Sequence, residues 1–475
     1  MRDYILVYIN GERHELRGEQ AFMPLSSFLR NQLRLTGTKV VCAEGDCGAC
    51  TVALGRMNGG KLKYQSVNSC IARMFQLDCS SIVSVEGLHE DGKAGHVAQV
   101  FAENHGAQCG FCTPGFVCSM ALMFETKTAP TAQDVKNACT GNLCRCTGYK
   151  SIIEAGLKME PAKVQRISSR YNSQAMITDI KDHHLSDAKL IHNDSTFFRP
   201  SNLADALSFL DKHADCRIYG AGTDLGVLHN KKKLSLSKIM DVQHIPELKE
   251  ISETAHHIEF GAAVTLHRLE EVLEKQNQNL SQFYRVFASP QIKHLATLAG
   301  NIANASPIGD SMPPLMILGA ELCVTDLEGD HWLPISEFFL AYRKTKLKQG
   351  QIIKTIRLPK SAPENFRVYK LAKRKDLDIS TVSAAFALKL KDKKIESLSI
   401  ALGGVAEKPI RLPAIEAKVQ GKTLDSQTIK EIKDDLATEI NPLDDHRGSA
   451  WYRKTLVTNL FDKYVSDIGG PHGNL

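Results

Sequence analysis

The strongest constraint on this chain is the distribution of its cysteines. Eleven of the thirteen lie within the first 146 residues, and only Cys216 and Cys323 follow. The sequence has no apolar run of bilayer-spanning length, and its first residues, MRDYILVYINGERHEL, lack the apolar core of a secretory signal. We therefore expect a cytoplasmic protein without a membrane partner, in which clustered cysteines serve metal binding or catalysis rather than disulfide bonding.

The first cysteine set follows the spacing C-x4-C-x2-C. Cys42, Cys47 and Cys50 form this motif, and Cys70 follows after nineteen intervening residues. This is the plant-type spacing for a [2Fe–2S] cluster. Gly45 and Gly48 supply the backbone freedom that a loop around a cluster needs, with amides available to the sulfurs. A zinc knuckle or idle buried thiols are the alternatives, and the C-x4-C step fits zinc poorly.

The second cysteine set is ambiguous by spacing alone. Cys109 and Cys112 form a C-x2-C pair, and Cys144 and Cys146 form a C-x-C pair after 31 intervening residues. Four such thiols can bind one zinc ion or a second iron-sulfur cluster. A neighbouring cluster favours the second option, because a lone cluster needs an electron partner.

Hydrophobic periodicity divides the chain into several regions, as its length of 475 residues also suggests. A strand over 4–9, a turn at Asn10-Gly11, a return strand and a helix after Pro24, with Leu33 on its apolar face, predict a small α+β unit ending near Glu86. Residues 95–157 are mostly helical, with a capping box at Thr131. The polar residues 160–192 predict a linker without regular structure.

The residues from about 195 onward predict alternating strands and helices, followed by a group of strands and then helices. Strand and helix patterns alternate from about 195 to 360. Strands are then expected at 366–372, 382–390 and 396–403, followed by two helices. The last helix should present one apolar side that includes Trp451, Tyr452 and Tyr464.

The overall charge argues against a nucleic-acid partner. The formal net charge is only +6, spread over the whole length. The hydrophobic fraction of 43% and charged fraction of 24% are those of an ordinary globular protein, which excludes a mainly disordered chain.

Two glycine-rich segments are candidates for binding a dinucleotide. The segment IYGAGTDLG, residues 218–226, follows a strand-like run, so its amides could hold a pyrophosphate. Its glycines depart from the G-x-G-x-x-G fingerprint, and a plain structural turn is the alternative. A second such segment, TLAGNIANASPIGD at 297–310, makes one extended dinucleotide a better explanation than two unrelated turns.

Three motifs together resemble the molybdenum-containing hydroxylase family. They are CAEGDCGACTV at 42–52, QCGFCTPG at 108–115 and GNLCRCTGY at 141–149. The resemblance covers essentially the whole chain and implies a multidomain α+β protein. The implied domains are a plant-type [2Fe–2S] ferredoxin (β-grasp) domain at 1–86, a helical [2Fe–2S]-binding domain at 87–160, a linker at 161–191, a non-Rossmann α+β FAD-binding domain at 192–364 and a CO-dehydrogenase-flavoprotein-like α+β C-terminal domain at 365–475.

The resemblance also implies cofactor contacts, residue by residue. The thiols of Cys109, Cys112, Cys144 and Cys146 would ligate a second [2Fe–2S] cluster, nearer the molybdenum, and Gln108 would approach the pterin held by another subunit. The FAD would be bound by Ile218, Tyr219, Gly220, Ala221, Gly222, Thr223, Asp224, Leu225, Phe287, Thr297, Leu298, Ala299, Gly300, Asn301, Asp310, Ile353 and Lys370.

The function implied by the resemblance is electron transfer in purine oxidation. Electrons would pass from a molybdopterin-binding large subunit through the two clusters to FAD and then to NAD, during oxidation of hypoxanthine and xanthine to urate. No catalytic residue is expected in this chain, since hydroxylation would occur in the partner, within a heterotetramer or larger assembly. The alternatives are the same redox module of an aldehyde or N-heterocycle hydroxylase, or a non-enzymatic metal-binding scaffold or redox sensor.

Overall fold

The computed structural model describes residues 1–470, which divide into two compact units. Unit 1 consists of Met1–Ala206, Asp215–Pro246 and Ser289–Ala296. Unit 2 consists of Leu207–Ala214, Glu247–Ala288 and the described residues from Thr297 onward. The expected FAD-binding region 192–364 therefore contributes segments to both units.

The N-terminal part of unit 1 is a five-stranded mixed sheet of β-grasp type. The strand order is β2-β1-β5-β3-β4, with β1 and β5 parallel and the other pairs antiparallel. Asn10 and Gly11 both have positive φ in the tight turn between β1 and β2, as the sequence predicts. The elements are β1 (Ile5–Ile9), β2 (Glu12–Leu16), α1 (Gly18–Phe22), α2 (Leu25–Ser27), a π-helical turn (Phe28–Gln32), β3 (Thr51–Asn58), β4 (Lys61–Asn68) and β5 (Ser80–Val83), with 3-10 turns at Met74–Leu77 and Val85–Leu88.

The central strand β1 is buried on both faces of the sheet. Successive side chains point to opposite faces, so Leu6 and Tyr8 join a core with the following helices, while Ile5, Val7 and Ile9 join a second core. The helices are α3 (His96–Glu103), α4 (Thr113–Met123), α5 (Ala132–Cys139) and α6 (Lys150–Lys158). The Thr131 capping box at α5 is confirmed, because its side chain and that of Asp134 each accept the other's backbone N–H.

The segment expected to lack regular structure contains two helices. They are α7 (Ile167–Tyr171) and α8 (Gln174–His184), and Tyr171, Met176 and Ile180 are buried in the core beside the β-grasp sheet. The expectation of an irregular segment over 160–192 is therefore wrong, since these few apolar residues suffice to anchor two short helices. The use of 161–191 as an interdomain linker stays a prediction.

A second sheet completes unit 1. Its order is β6-β7-β9-β8, with β7 and β8 each parallel to β9. The glycine-rich segment follows β8 directly and leads into α10. The elements are β6 (Ala188–His192), β7 (Ser195–Arg199), β8 (Arg217–Tyr219), α10 (Leu225–Asn230) and β9 (Lys238–Asp241). The helix α9 (Leu203–Lys212) and a 3-10 turn at Pro246–Lys249 each begin in a unit 1 segment and end in a unit 2 segment.

Unit 2 contains an antiparallel five-stranded sheet of order β10-β11-β16-β12-β13. Its elements and their neighbours are β10 (Ile251–Glu253), β11 (His257–Gly261), α11 (Leu266–Gln276), α12 (Gln278–Arg285), α14 (Leu298–Ala303), α15 (Met312–Ile317), β12 (Glu321–Asp326), β13 (Gly329–Pro334), a 3-10 turn at Ile335–Glu337, β14 (Phe339–Ala341), β15 (Lys344–Thr345) and β16 (Ile352–Pro359). Between α12 and α14, the short helix α13 (Pro290–Lys293) belongs to unit 1.

The C-terminal part of unit 2 is a four-stranded antiparallel sheet covered by helices. The sheet order is β17-β18-β19-β20, and its first three strands confirm the three predicted runs. The elements are β17 (Arg367–Leu371), β18 (Val382–Lys391), β19 (Lys394–Gly403), β20 (Ile410–Arg411), α16 (Pro413–Val419), α17 (Ser426–Glu439) and α18 (Ala450–Asp467). The last five residues of the expected domain, 471–475, lie outside the described residues.

Two details of the predicted helices are corrected. The helix after Pro24 ends after one turn in a π-helical turn, which leaves Leu33 only partly buried. Within the described residues, three helices follow the last sheet rather than two. In α18, Trp451 and Tyr452 are 73% and 43% exposed, while Tyr464 is buried. In both cases, the spacing of apolar residues along the helix does not reveal which other element its apolar side packs against. No helix within residues 1–470 has the length and apolarity needed to cross a membrane.

Candidate functional site

The first candidate site is a tight loop that brings the first cysteine set together. Gly45 and Gly48 have φ of +75° and +66°, the left-handed conformations that glycine adopts at little cost. The loop thereby curls around Cys42, whose Sγ accepts the backbone N–H groups of Glu44 and Cys47 at 3.4 and 3.5 Å. Backbone amides directed at a sulfur are the contacts that stabilise a thiolate ligand.

The four thiols of this set interact with one another in series. The side chains of Cys47 and Cys70 donate to Cys42, so the pKa of Cys42 falls far below its ordinary value. The same contacts raise the pKa of Cys47 and of Cys70. The Cys50 sulfur also accepts a hydrogen-bonding contact from the Cys70 thiol, and this contact lowers the pKa of Cys50. All four sulfurs thus belong to one connected group at the predicted positions.

The helix after the glycine-rich segment packs directly on this cysteine set. A Cβ at Gly226 would lie 2.4 Å from the Ile71 carbonyl oxygen, so only glycine permits the close approach of α10. At the end of α10, the Asn230 Nδ2 donates to the carbonyls of Ala43 and Cys70, both at 2.9 Å. Val227 and Ile292 pack beside Cys50, Cys70 and Ile71. Sequence reasoning did not assign Asn230, because nothing local marks it.

The thiols of the second cysteine set contact each other in two pairs. Each pair contains one cysteine of the C-x2-C motif and one of the C-x-C motif. The Sγ atoms of Cys146 and Cys109 lie 3.6 Å apart, and the Cys112 thiol donates a hydrogen bond to the Cys144 sulfur. Burial and the Cys144 contact raise the pKa of Cys112 to about 12. Burial acts to raise the pKa of Cys144, but hydrogen bonds, first from Thr147, outweigh it and lower the value. Cys109 and Cys146 are exposed, as is the neighbouring Gln108.

The paired thiols fit a cluster of two irons. Within the described residues 1–470, no group of three or more His, Cys, Asp or Glu side chains is arranged to hold a metal ion. The first set forms one connected group of four thiols and the second set forms two pairs, and a [2Fe–2S] cluster uses four thiolates on two irons. The residues of both sets therefore fit such a group, and its assignment to them stays a prediction.

The five other cysteines are neutral thiols. Burial raises the pKa of Cys79, Cys118, Cys139 and Cys216 to about 12, and that of Cys323 to about 11. A buried thiol with a raised pKa behaves as a small apolar side chain. This agrees with the absence of a second cysteine at ligand spacing around each of them.

The first group of expected flavin residues, 218–225, runs in unit 1 from the end of β8 through the loop 220–224 to the first residue of α10. Gly222 has φ of +71°, and a Cβ there would lie 1.9 Å from the hydroxyl oxygen of Tyr219. This glycine is therefore required by its own loop, whatever the loop binds. The Ala221 carbonyl accepts from Gln76 Nε2 at 3.2 Å, and the buried Tyr219 hydroxyl has no hydrogen-bond partner.

The other expected flavin residues lie in unit 2, where three of them form one buried group. Lys370 Nζ donates to Asp310 Oδ2 at 2.7 Å and to the Phe287 carbonyl at 3.2 Å. Asp310 Oδ1 and Asn301 Oδ1 are buried atoms without a hydrogen-bond partner. Such acceptors fit a ligand that offers hydroxyl or N–H groups, as FAD does. Thr297 caps α14, which carries Leu298, Ala299 and Gly300, while Ile353 is buried on β16.

Two further residues that sequence reasoning missed connect the cysteine sets. Asn142 lies within the GNLCRC motif and is buried, and Gln291 on α13 donates to its Oδ1 at 3.1 Å. The motif could have suggested Asn142 as a second-set neighbour. Nothing in the local sequence of Gln291 indicates a contact with residues 149 positions earlier.

Family models match three parts of the chain. Residues 84–157 match the [2Fe-2S] binding domain, residues 193–361 match the FAD binding domain in molybdopterin dehydrogenase, and residues 367–468 match the CO dehydrogenase flavoprotein C-terminal domain. Together with the sheets described above, these matches confirm the predicted multidomain α+β architecture with [2Fe–2S], FAD-binding and flavoprotein C-terminal domains.

Curated relatives match nearly the whole chain. Xanthine dehydrogenase of Emericella nidulans is 30% identical over 98% of this chain, and xanthine dehydrogenase/oxidase of Rattus norvegicus is 29% identical over 98%. The chain spans 39% of the length of each.

Solved structures are similar over about half of the chain. The cyanide-inactivated Cu,Mo-CO dehydrogenase has a TM-score of 0.53 and 26% identity over 57% of this chain and 96% of that chain. Quinoline 2-oxidoreductase from Pseudomonas putida 86 has a TM-score of 0.53 and 24% identity, over 57% and 94% respectively, which supports the fold alone.

Proposed function

We propose, on the premise that this chain is a small/FAD-subunit-like protein of the molybdenum hydroxylase family, that it conducts electrons from a molybdopterin site to NAD. The proposed route starts in a molybdopterin-binding partner. It enters this chain at the second cysteine set, which would hold one [2Fe–2S] cluster. It continues through a second cluster at the first set to FAD, and ends at NAD.

The observation that carries this proposal is the contact between the first cysteine set and the residues around the glycine-rich loop. Gly226 and Asn230 attach α10 to the backbone beside Cys42 and Cys70. A chain whose cysteines served only structural zinc would have no need to fix this loop against them. The contact suits electron transfer between an iron-sulfur group and a flavin held by the loop.

The cofactors supply the redox chemistry, and the chain supplies their setting. [2Fe–2S] clusters exchange single electrons, and a flavin can pass two as hydride to a nicotinamide. The cysteines would hold the clusters, and the amides of Glu44 and Cys47 would stabilise a ligand sulfur at Cys42. Val227 and Ile292 cover Cys50 and Cys70 with apolar side chains and so limit water there.

The exposed second set supports the choice of entry point. Cys109 and Cys146 are exposed, and Phe111 beside them is 49% exposed. A partner could therefore approach this set directly, with Gln108 at the contact. We further propose a heterotetramer or larger assembly in the cytoplasm.

The substrate of the partner is proposed to be hypoxanthine and xanthine. The curated relatives named for xanthine support this choice at 28–30% identity. Purine selection would be made outside this chain, so the same module would serve an aldehyde or N-heterocycle hydroxylase equally well.

An anaerobic titration with NADH tests the proposal. The purified chain should show bleaching of both flavin and iron-sulfur absorbance, because electrons would run the proposed route in reverse. Dithionite serves as the control reductant. Bands that bleach with dithionite but ignore NADH would contradict the NAD assignment. A preparation that contains zinc but no flavin would contradict the redox module.

A further inference from the structure

Three glycines allow the two cysteine loops to touch through their backbones. A Cβ at Gly48 would lie 2.1 Å from the Gly141 carbonyl oxygen, and one at Gly115 would lie 2.3 Å from the Gly48 carbonyl oxygen. These distances exclude any side chain unless the backbone moves. Gly48 belongs to the first cysteine motif, whereas Gly115 and Gly141 flank the second. We call the contact of these three glycines the glycine junction.

A direct hydrogen bond crosses the glycine junction. The Leu143 N–H donates to the Cys47 carbonyl at 2.9 Å. Leu143 precedes Cys144 in the chain. The hydrogen bond therefore connects the backbone of Cys47, a predicted ligand of the first set, to the residue before Cys144, a predicted ligand of the second set. The two predicted cluster sites are thus linked by covalent bonds and a single hydrogen bond.

A buried polar network holds the junction in place. The Asn142 Nδ2 donates to the Gly48 carbonyl at 3.0 Å, and its Oδ1 accepts from the Ser119 hydroxyl at 2.7 Å. The Thr51 hydroxyl donates to the same Gly48 carbonyl at 2.6 Å. Each of these side chains is buried, so the bonds are not in competition with bulk water.

Gln291 completes this network from a distant part of the chain. Its Nε2 donates to both Thr51 Oγ1 and Asn142 Oδ1 at 3.1 Å, and the side chain is only 1% exposed. Its Oε1 lies against Gly141, where a Cβ would come within 1.8 Å. Gln291 belongs to the segment Ser289–Ala296, which joins unit 1 while the residues before and after it belong to unit 2.

We propose that Gln291 is a positioning residue for electron transfer between the two cysteine sets. Its amide fixes Thr51 and Asn142, and these in turn fix the Leu143–Cys47 hydrogen bond. The inference rests on the proposed function, in which both sets hold [2Fe–2S] clusters. In that function, one electron would pass from a cluster held by Cys109, Cys112, Cys144 and Cys146 to a cluster held by Cys42, Cys47, Cys50 and Cys70. No bond forms or breaks, and no proton moves.

Substitution of Gln291 by Met tests this role in the full chain. Gln291→Met keeps the length of the side chain and removes both donated hydrogen bonds. The matched control is Asn172→Ala, which also removes two amide contacts in unit 1, those to the Leu62 N–H and carbonyl. Thr51→Val removes the acceptor of the same Gln291 bond and provides a second variant if Gln291→Met fails to fold.

The readout is the redistribution of one electron between the clusters. A laser flash with a photoexcited deazaflavin injects the electron, and freeze-quenched samples are followed by electron paramagnetic resonance. In Gln291→Met and Thr51→Val, both cluster signals should keep their g values and intensities. The redistribution should slow measurably, because the Leu143–Cys47 hydrogen bond loses the side-chain contacts that hold it in place. The Asn172→Ala variant should match the unsubstituted chain.

Two results would overturn the inference, and they are distinguishable. Redistribution in Gln291→Met as fast as in Asn172→Ala, with both signals present, would contradict the positioning role and leave the proposed function standing. A single cluster signal in the unsubstituted chain would contradict the proposed function itself and the inference with it.

Discussion

At the scale of single residues, cysteine thiols in this protein differ in pKa according to their surroundings. Burial among apolar groups raises the pKa of Cys118 and Cys139 to about 12, so these thiols stay neutral. Cys42 lies in a loop where two amides and two thiols direct protons at its sulfur, and its pKa falls. The neighbouring thiols, first that of Cys47 and then that of Cys70, account for most of the lowered pKa of Cys42, and among the described residues Cys118 and Cys139 have no such neighbours.

Replacement of Cys47 by Ser should remove the cluster predicted at the first set. The hydroxyl of serine is a much weaker ligand for iron than a thiolate, and flavin content should stay unchanged. Visible and electron paramagnetic resonance spectra check this outcome. Cys216→Ser is the matched control, because Cys216 lies outside both sets, and it should leave the spectra unaltered. Normal cluster spectra in Cys47→Ser would contradict the ligand assignment.

Replacement of Asn230 by Asp should detach α10 from the first cysteine loop. The change keeps the shape and the contact with Arg73, but replaces the Nδ2 donor to the Ala43 and Cys70 carbonyls with an acceptor. We expect a loss of about 1–3 kcal/mol in the free energy of unfolding, together with slower reduction of the iron-sulfur bands by NADH. Urea denaturation and stopped-flow absorbance measure the two effects. Unchanged reduction kinetics would remove α10 from the proposed route.

Single residues also show where sequence reasoning succeeds and where it stops. The positive φ of Gly45 and Gly48 follows from a tight cysteine loop and was predictable. The role of Gly222 was not, because the atom it must avoid belongs to Tyr219 within its own loop rather than to a ligand. A bulky residue at Gly222 would therefore disturb the loop even without flavin, and such a variant alone does not test flavin binding.

Among the secondary-structure elements, local sequence patterns predicted whether a segment is a helix or a strand better than they predicted where it ends or which element it packs against. The hairpin of β1 and β2 and the strands β17 to β19 follow from local alternation and turn chemistry. Helices α7 and α8 were missed because only a few apolar residues anchor them. Burial of β1 on both faces was also not predictable, since each face packs on elements far away in the sequence.

One buried ion cluster ties several of these elements together. Asp78 accepts from Arg2 at 2.7 Å and from the Leu6 N–H at 2.7 Å, and it lies 3.2 Å from the Arg199 Nε on β7. Asp78→Asn would leave two buried guanidinium groups without their counter-charge. We expect a loss of about 3–5 kcal/mol in the free energy of unfolding. Glu160→Gln, at an exposed ion pair with Lys163, should have little effect.

The same carboxylate makes part of the stability dependent on pH. Burial acts to raise the pKa of Asp78, but the charges of Arg199 and Arg2 outweigh it and hold the pKa below the ordinary value of 3.8. The unfolded chain therefore binds the proton first as pH falls. The stabilisation is present near neutral pH and is lost below about 4 as pH approaches the folded-state pKa. The gap in unfolding free energy between the unsubstituted chain and Asp78→Asn should shrink over this range, and a constant gap would contradict the assignment.

At the scale of the whole molecule, the motifs predicted which kinds of domain are present. They did not predict which segments of the chain belong to which compact unit. The three family-model regions follow one another in sequence, yet residues 215–246 and 289–296 belong to unit 1 while their neighbours belong to unit 2. This interleaving depends on contacts such as those of Asn230 and Gln291, which join residues more than a hundred positions apart. No local periodicity contains that information.

We infer that this chain holds two [2Fe–2S] clusters and one flavin. The direct measurement is iron, acid-labile sulfide and flavin content, combined with electron paramagnetic resonance of the dithionite-reduced chain. We predict about four irons and about four sulfides per chain, with one FAD and two distinct cluster signals. A content of two irons with one signal, or of zinc in place of iron, would contradict the account.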